Sequence, residues 1–222
     1  MSGQAPFSWR AGAGWLVLSG SAHPLSEIRA LALSRCNPGA DVACIAQTDV
    51  MGDALMDDLA ELGAPAGYHI DLAEVDNNLL YERIASAGLI VLAARCADSL
   101  RRALSQMAVH ALKQALAGGA LLLCEGAAAE LFGERRLSAA DGLTRGLNFV
   151  HGAVILPTSA GHNVQATRWL QSQLSEVAVI RLQPGSALAL GPGGQMETWG
   201  NRDITIRISA LQPQELARAG AG

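Results

Sequence analysis

Charged and aromatic residues are scarce in this 222-residue sequence. Charged residues make up 16% of the chain and aromatic residues 4%, whereas half of the residues are hydrophobic. A chain of this composition can bury a large core, and it lacks the high charge and low hydrophobicity of disordered segments. The length exceeds the ~100–150 residues of the commonest domains, but α/β sheets of this length form around one core. We therefore expect one domain over residues 1–210 and a frayed tail at 211–222.

The sequence also lacks dense basic segments. It carries 16 Lys and Arg residues against 20 acidic residues, for a formal net charge of −4, and its densest basic pairs are Arg101-Arg102 and Arg135-Arg136. A surface that binds nucleic acid neutralises phosphates with clustered cations. Nucleic acid is therefore excluded as an expected partner.

Long apolar runs are missing as well. No segment approaches the ~20 apolar residues that a transmembrane helix requires. The stretch at 10–22 faintly resembles a signal peptide, but its apolar part, Trp15 to Leu18, is short and is better interpreted as a first β-strand. We expect a protein without membrane association that stays in the cytoplasm.

Metal-binding and disulfide patterns are absent from the cysteines. Cys36, Cys44, Cys96 and Cys124 are far apart, with no Cys-x-x-Cys pair and no histidine at ligand spacing. This pattern indicates neither a zinc site nor a disulfide framework. We expect reduced thiols and no metal or other cofactor.

What the sequence does contain is an alternation of short apolar runs with longer stretches of helical period. This alternation predicts an α/β fold, a three-layer sandwich with a mainly parallel central sheet. The last three predicted strands have the pattern of an antiparallel meander. The predicted strands lie at 14–19, 41–47, 68–72, 88–93, 120–123, 153–156, 178–182, 187–190, 195–199 and 204–208, and the predicted helices at 26–36, 53–62, 77–86, 99–117, 125–132 and 163–174.

One predicted strand leads into a helix through a turn of small residues, Cys124 to Ala128. Such a turn can expose a nucleophile at the edge of an α/β sheet. A thiol at Cys124 would lie near a helix N-terminus, where the dipole lowers its pKa and backbone N–H groups can stabilise an oxyanion. The alternative is a small buried hydrophobic residue, because Cys124 follows the apolar run Ala120 to Leu123.

Four segments, taken in order, resemble the cyanophycinase and aspartyl dipeptidase family of serine peptidases. They are Gly14 to Gly20, Leu89 to Leu104, Gly146 to Ile155 and Ile180 to Leu190, and together they extend over nearly the whole chain. The resemblance implies a fold like that of flavodoxin and the class I glutamine amidotransferases, a catalytic serine on a strand-to-helix elbow, and a homodimer.

The positions that carry the family's chemistry match poorly. Where the family has Gly-Gly-Asp-Gln, this chain has Ala94-Arg95-Cys96-Ala97, and Thr158 falls in the segment that supplies the family's base. At the elbow, either Cys124 or Glu125 aligns with the catalytic serine. Thr158 cannot accept a proton from a nucleophile at neutral pH. The resemblance implies ligand contacts at Gly20, Ser21, Arg95, Cys96, Gly126 and Thr158.

Several other residues could complete a site. His162 is a candidate base for Cys124, and His151 and His23 also fall near predicted loops. Each could equally be a surface or hydrogen-bonded structural histidine. Glu125 and Glu130 could supply an acid beside the thiol, or could complement the dipole of a first helical turn.

Three functions follow from these alternatives. The first is a family member that has lost serine peptidase activity and acts as a structural, binding or regulatory protein, with a peptide-like ligand or an active paralogue as partner. The second is a hydrolase or amidotransferase-like enzyme that uses Cys124 as nucleophile. The third is an active peptidase on aspartyl or cyanophycin-like peptides, against which the missing serine argues.

Overall fold

A computed structural model describes residues 7–10, 12–23, 26–37, 39–72, 76–138, 141–158, 170 and 177–208. The strands are β1 Ser8–Trp9, β2 Trp15–Ser19, β3 Val42–Ala46, β4 Gly67–Ile70, β5 Leu89–Ala94, β6 Leu121–Gly126, β7 Gly133–Ser138, β8 Gly142–Arg145, β9 Val150–Pro157, β10 Ala178–Leu182, β11 Ser186–Leu190, β12 Met196–Gly200 and β13 Ile204–Ile208. The helices are α1 Glu27–Arg35, α2 Asp49–Glu61, α3 Asn77–Ser86, α4 Ala97–Ala103 and α5 Gln106–Gly118, and there is a 3₁₀ helix at Ala127–Phe132.

The main sheet has the strand order β12-β11-β2-β6-β5-β3-β4. Its β2, β6, β5, β3 and β4 are parallel to one another, whereas β11 pairs antiparallel with β2 on one side and with β12 on the other. The predicted α/β fold with a mainly parallel sheet is therefore confirmed. Parallel strands end at one edge of a sheet, where α/β proteins commonly build their sites.

The central strands are buried on both faces. Every residue of β5 and β6 is buried, which explains their nearly continuous apolar sequences. Side chains of α1 and α2 cover one face of the sheet. Side chains of α3, α4 and α5 cover the other.

A second sheet packs on the same face as α3 to α5. Its strand order is β13-β10-β9-β7-β8, with β1 paired to β9. Phe132, Phe149 and Ile180 join it to the main core. We did not predict β7 and β8, because β7 is rich in charged residues and β8 is short, so neither has the apolar run that indicated the other strands.

The strands near the C-terminus are antiparallel, as predicted, but they do not form one meander. β12 pairs with β11, whereas β13 pairs with β10 in the second sheet. Ile204 and Ile206 of β13 pack against the main core. Partial burial of these two side chains favours the pairing with β10.

The helix predicted at 99–117 is two helices. α4 ends at Ala103, and the Ser105 side chain accepts a hydrogen bond from the Ala108 N–H at 3.1 Å, which caps a new helix. The helix predicted at 125–132 is a 3₁₀ helix that starts two residues later, because β6 continues to Gly126. The helix predicted at 163–174 lies outside the described residues apart from Leu170, and so does the predicted tail at 211–222.

Among the described residues, no helix has both the length and the apolar character needed to cross a membrane. The single-domain boundary at residue 210 stays a prediction.

Candidate functional site

The strand-to-helix elbow bends at Gly126, the last residue of β6. Gly126 has φ 57° and ψ −129°, a conformation that residues with a Cβ adopt only with strain. The chain then enters the 3₁₀ helix at Ala127. In hydrolases with such an elbow, the nucleophile is the residue on the strained turn. Here that residue is a glycine, which has no side chain to act as a nucleophile.

Cys124 lies two residues before the bend and points into the core. It is 0% exposed and belongs to the hydrophobic cluster between the main sheet and the second sheet. Burial, with a smaller contribution from the charge of Glu125, raises the pKa of the Cys124 thiol well above its usual range. This position favours the structural interpretation of Cys124 over the nucleophilic one.

Glu125 points to the opposite face of the sheet and is held by an arginine of α1. Arg29 Nε donates to Glu125 Oε1 at 2.9 Å and Arg29 Nη2 donates to Glu125 Oε2 at 2.6 Å. Arg29 Nη1 donates to Asp58 Oδ2 of α2 at 2.5 Å. All three side chains are at most 7% exposed. Glu125 therefore ties β6 to α1 and α2 immediately before the elbow.

The pKa values in this cluster reflect burial opposed by pairing. Burial raises the pKa of Glu125, and the hydrogen bonds and charge of Arg29 act against that rise. For Arg29, burial lowers the pKa, but hydrogen bonds and charge interactions with Glu125 and Asp58 outweigh it, so the pKa is raised. The guanidinium is therefore a permanent cation.

The loop after β2 is fixed against the turn before β11. The Gly20 N–H donates to the Ser186 carbonyl at 2.9 Å. A Cβ at Gly20 would lie 2.1 Å from the Gln183 carbonyl oxygen, so this close approach requires glycine. The Ser21 hydroxyl accepts a hydrogen bond from the Gly185 N–H at 3.0 Å. Both residues thus have structural contacts at the edge of the sheet.

The loop after β5 presents an exposed thiol near the elbow. The backbone N–H groups of Arg95 and Cys96 donate to Gln47 Oε1 at 3.1 and 3.2 Å. Hydrogen bonds from the Ser99 backbone and side chain lower the pKa of the exposed Cys96 thiol. Cys96 follows Ala94 by two residues, and Ala94 is paired with Gly126. Sequence reasoning gave Cys96 only a ligand contact and did not single out its thiol.

Among the described residues, Thr158 and the candidate histidines do not come together as a catalytic group. Thr158 Oγ1 donates to Gln183 Oε1 at 3.0 Å, just beyond the end of β9. His151 lies at the start of β9, opposite Ser8, and thus at the other end of that strand. His23 is exposed, and its charge acts to lower the pKa of Glu125. His162 lies outside the described residues.

No group of His, Cys, Asp and Glu among the described residues could hold a metal ion.

The sequence matches no protein-family model and no curated protein, so solved structures provide the comparison. A peptidase from an acI-B1 Actinobacterium superposes with a TM-score of 0.72 at 16% identity, over 91% of this chain and 94% of that one. A putative peptidase E protein from Listeria monocytogenes EGD-e has a TM-score of 0.64 at 16% identity, over 84% of this chain and 98% of that one. The chain has the fold of these peptidases. At this identity the likeness concerns the fold alone.

Sequence reasoning missed Arg29 and Asp58. A signal for them was available, because Glu125 directly follows the buried apolar run of β6 and a buried carboxylate needs a charged or hydrogen-bonding partner. Which cation supplies that partner depends on how α1 packs. Sequence reasoning also included Gly126 only as a ligand contact and placed the nucleophile position at Cys124 or Glu125.

Proposed function

We propose that this chain is a relative of the peptidases with the same fold that has lost hydrolytic activity and binds a ligand without cleaving it. The observation that carries the proposal is the glycine at the bend of the elbow. Gly126 has the backbone conformation of a strained elbow residue and cannot supply a hydroxyl or a thiol.

The residues beside the bend do not replace the missing nucleophile. The Cys124 thiol is enclosed in the core, and the Glu125 carboxylate is bound by Arg29. Thr158, which the resemblance places in the segment of the general base, lacks a group that accepts a proton at neutral pH. A thiol becomes a nucleophile only as the thiolate, and burial opposes that ionisation at Cys124.

The ligand in this proposal is a peptide-like molecule at the carboxyl edge of the main sheet, near Gly20, Arg95, Cys96 and Gly126. Arg95 is exposed there and offers a cation to a carboxylate. An active paralogue is the other partner that the resemblance suggests, and we also propose a homodimer on the same basis. Sedimentation of the pure protein, alone and mixed with such a paralogue, tests both assemblies.

The main experiment measures hydrolysis and binding on the same preparation. The purified chain is incubated with aspartyl dipeptides and β-aspartyl peptides, and product formation is followed by mass spectrometry, with a mock purification as background. We expect no turnover above background. Calorimetric titration with the same peptides should show binding in the wild type, and Arg95→Ala should weaken it.

Turnover that co-purifies with the chain would refute the proposed loss of activity. One variant then tests the first alternative. Loss of turnover in Cys124→Ala would restore the hypothesis of a Cys124 nucleophile. Absence of both turnover and peptide binding would refute the proposed ligand and leave a structural role.

A cysteine enzyme based on Cys96 is a second candidate function. The observation that favours it is the exposed thiol with a lowered pKa near the elbow. In that case turnover disappears in Cys96→Ser and persists in Cys124→Ala.

A further inference from the structure

The hairpin of β7 and β8 carries a buried arginine on its inner face. Arg136 of β7 is 6% exposed and lies directly opposite Thr144 of β8. Its Nη2 donates to Asp98 Oδ1 of α4, and Ser138 Oγ donates to Asp98 Oδ2 at 3.3 Å. This ion pair joins the hairpin to α4.

Much of the Arg136 guanidinium is nevertheless unpaired. Within the described part of the chain, Arg136 Nε and Nη1 and Thr144 Oγ1 are buried and have no hydrogen-bond partner. Buried polar groups in folded proteins are almost always paired. Three such atoms in one cross-strand pair mark a place between the hairpin and α4 where a group with free lone pairs would complete the hydrogen bonding.

The chemistry of the three atoms specifies that group. The guanidinium N–H groups only donate, and a threonine hydroxyl can also donate. A ligand that satisfies all three must accept several hydrogen bonds at once, as the oxygens of a carboxylate or phosphate group do. Arginine is well suited to such oxyanions because its charge is permanent and its donors are planar.

The charge around the site is compatible with an anion. The elements α4, β7 and β8 carry five arginines against two carboxylates, and Asp141 in the turn between the strands adds a third carboxylate. Arg135 and Arg145 lie directly opposite each other on the outer face of the hairpin. Like charges in that arrangement repel each other, and a nearby anion reduces the repulsion.

We propose that Arg136 and Thr144 form a binding site for a small oxyanion, a carboxylate or phosphate group, between α4 and the β7–β8 hairpin. Asp98 is 28% exposed, so the ion pair reaches the protein surface on the side of α4. The site does not use the elbow, and it stands whether or not the chain hydrolyses peptides.

Thermal unfolding at pH 7 tests the site, with sodium acetate and sodium phosphate compared with sodium chloride at equal ionic strength. We expect a saturable rise in Tm with one or both oxyanions beyond the rise in chloride. A rise in Tm with acetate identifies a carboxylate site, and a rise with phosphate identifies a phosphate site.

Arg136→Lys keeps the positive charge but loses the planar set of N–H donors, and it should weaken binding by about tenfold or more. Thr144→Val removes one hydroxyl from a site of the same shape and should weaken binding less.

The matched control is Arg102→Lys, which changes an exposed arginine of α4 and should leave the Tm response unchanged. The Nε–H signal of Arg136 in a ¹H–¹⁵N spectrum, assigned by its loss in Arg136→Lys, should shift during the same titration. Equal Tm values in all three salts would mean that the guanidinium is merely hydrated and would overturn the proposal. So would an oxyanion response in both Arg136→Lys and Thr144→Val that is as large as in the wild type.

Discussion

At the scale of single residues, Gly126 decides what the elbow can do. A side chain at φ 57° and ψ −129° is strained, and enzymes with reactive elbows keep that strain because the side chain is the nucleophile. With glycine the chain makes the same bend without the strain. The elbow of this chain therefore makes the bend with a residue that has no nucleophilic side chain.

Replacing Gly126 by serine tests this account. We expect Gly126→Ser to lower the free energy of unfolding by ~1–3 kcal/mol, the usual cost of a strained backbone conformation, as measured by urea denaturation. Gly118→Ala is the control, because a Cβ at Gly118 meets no atom within 4 Å and its φ is not in the positive range. That control should be neutral or stabilising by ~0.4–1 kcal/mol. An equal effect of the two substitutions would contradict the assignment of Gly126 as the strained position.

The environments of the cysteines give a second prediction at this scale. Iodoacetamide reacts with thiolates, so the Cys96 thiol, with its lowered pKa and its exposure, should be labelled first and at lower pH than an ordinary thiol. Burial raises the pKa of Cys44 to about 12 and that of Cys124 well above its usual range. Their labelling should therefore require unfolding. Peptide mapping across a pH series separates the sites, and rapid labelling of native Cys124 would contradict its position in the core.

At the scale of elements, Arg29 connects three of them. Its guanidinium binds Glu125 of β6 and Asp58 of α2 from a position on α1, and all three charges are buried. Removing one partner of a buried ion pair leaves an uncompensated charge, which costs more than the pair contributes. The position of β6 just before the elbow therefore depends on a helix that lies on the opposite face of the sheet from Cys124.

Substitution of Arg29 measures this dependence. Arg29→Met leaves two buried carboxylates without their cation and should destabilise the protein by ~3–5 kcal/mol in urea denaturation. The control Arg102→Met, at an exposed position of α4, should change stability by less than ~0.5 kcal/mol. A small effect of Arg29→Met would show that the carboxylates find other partners or become protonated.

At the scale of the whole molecule, the two sheets share one hydrophobic core. Residues of β5 and β6 in the main sheet and of β9 and β10 in the second sheet belong to the same buried cluster. Shared burial couples the sheets because neither can open without exposing the apolar face of the other. We therefore expect the described part of the chain to unfold as one cooperative unit.

Native-state hydrogen exchange tests that coupling. The amides of β6, which pairs with strands on both sides, should exchange only through global unfolding. The described edge strands β8 and β13 should exchange faster, because local fraying exposes them. If all protected amides of the second sheet exchanged with a lower free energy than those of the main sheet, the sheets would be separate units and the prediction of one cooperative unit would fail.

The amino-acid sequence by itself determined the order and type of most elements. Apolar runs such as Leu89–Ala94 indicate buried parallel strands, and the periodic segment at 77–86 indicates a helix, because local spacing already fixes which faces can be buried. The absence of a serine from positions 124–126, where the strand leads into the turn, was also visible in the sequence. The strands β7 and β8 were not, because β7 is placed by its pairing with β9 and β8 by its pairing with β7, rather than by apolar runs of their own.

Only the tertiary structure decided the site. The bend at Gly126 rather than at Cys124 depends on how far β6 continues, and strand pairing with β2 and β5 sets that length. The partners of Glu125 and the unpaired atoms of Arg136 come from elements far apart in the sequence. Local spacing specifies the elements, whereas burial and hydrogen bonding between distant segments specify which side chains meet, and chemistry depends on the latter.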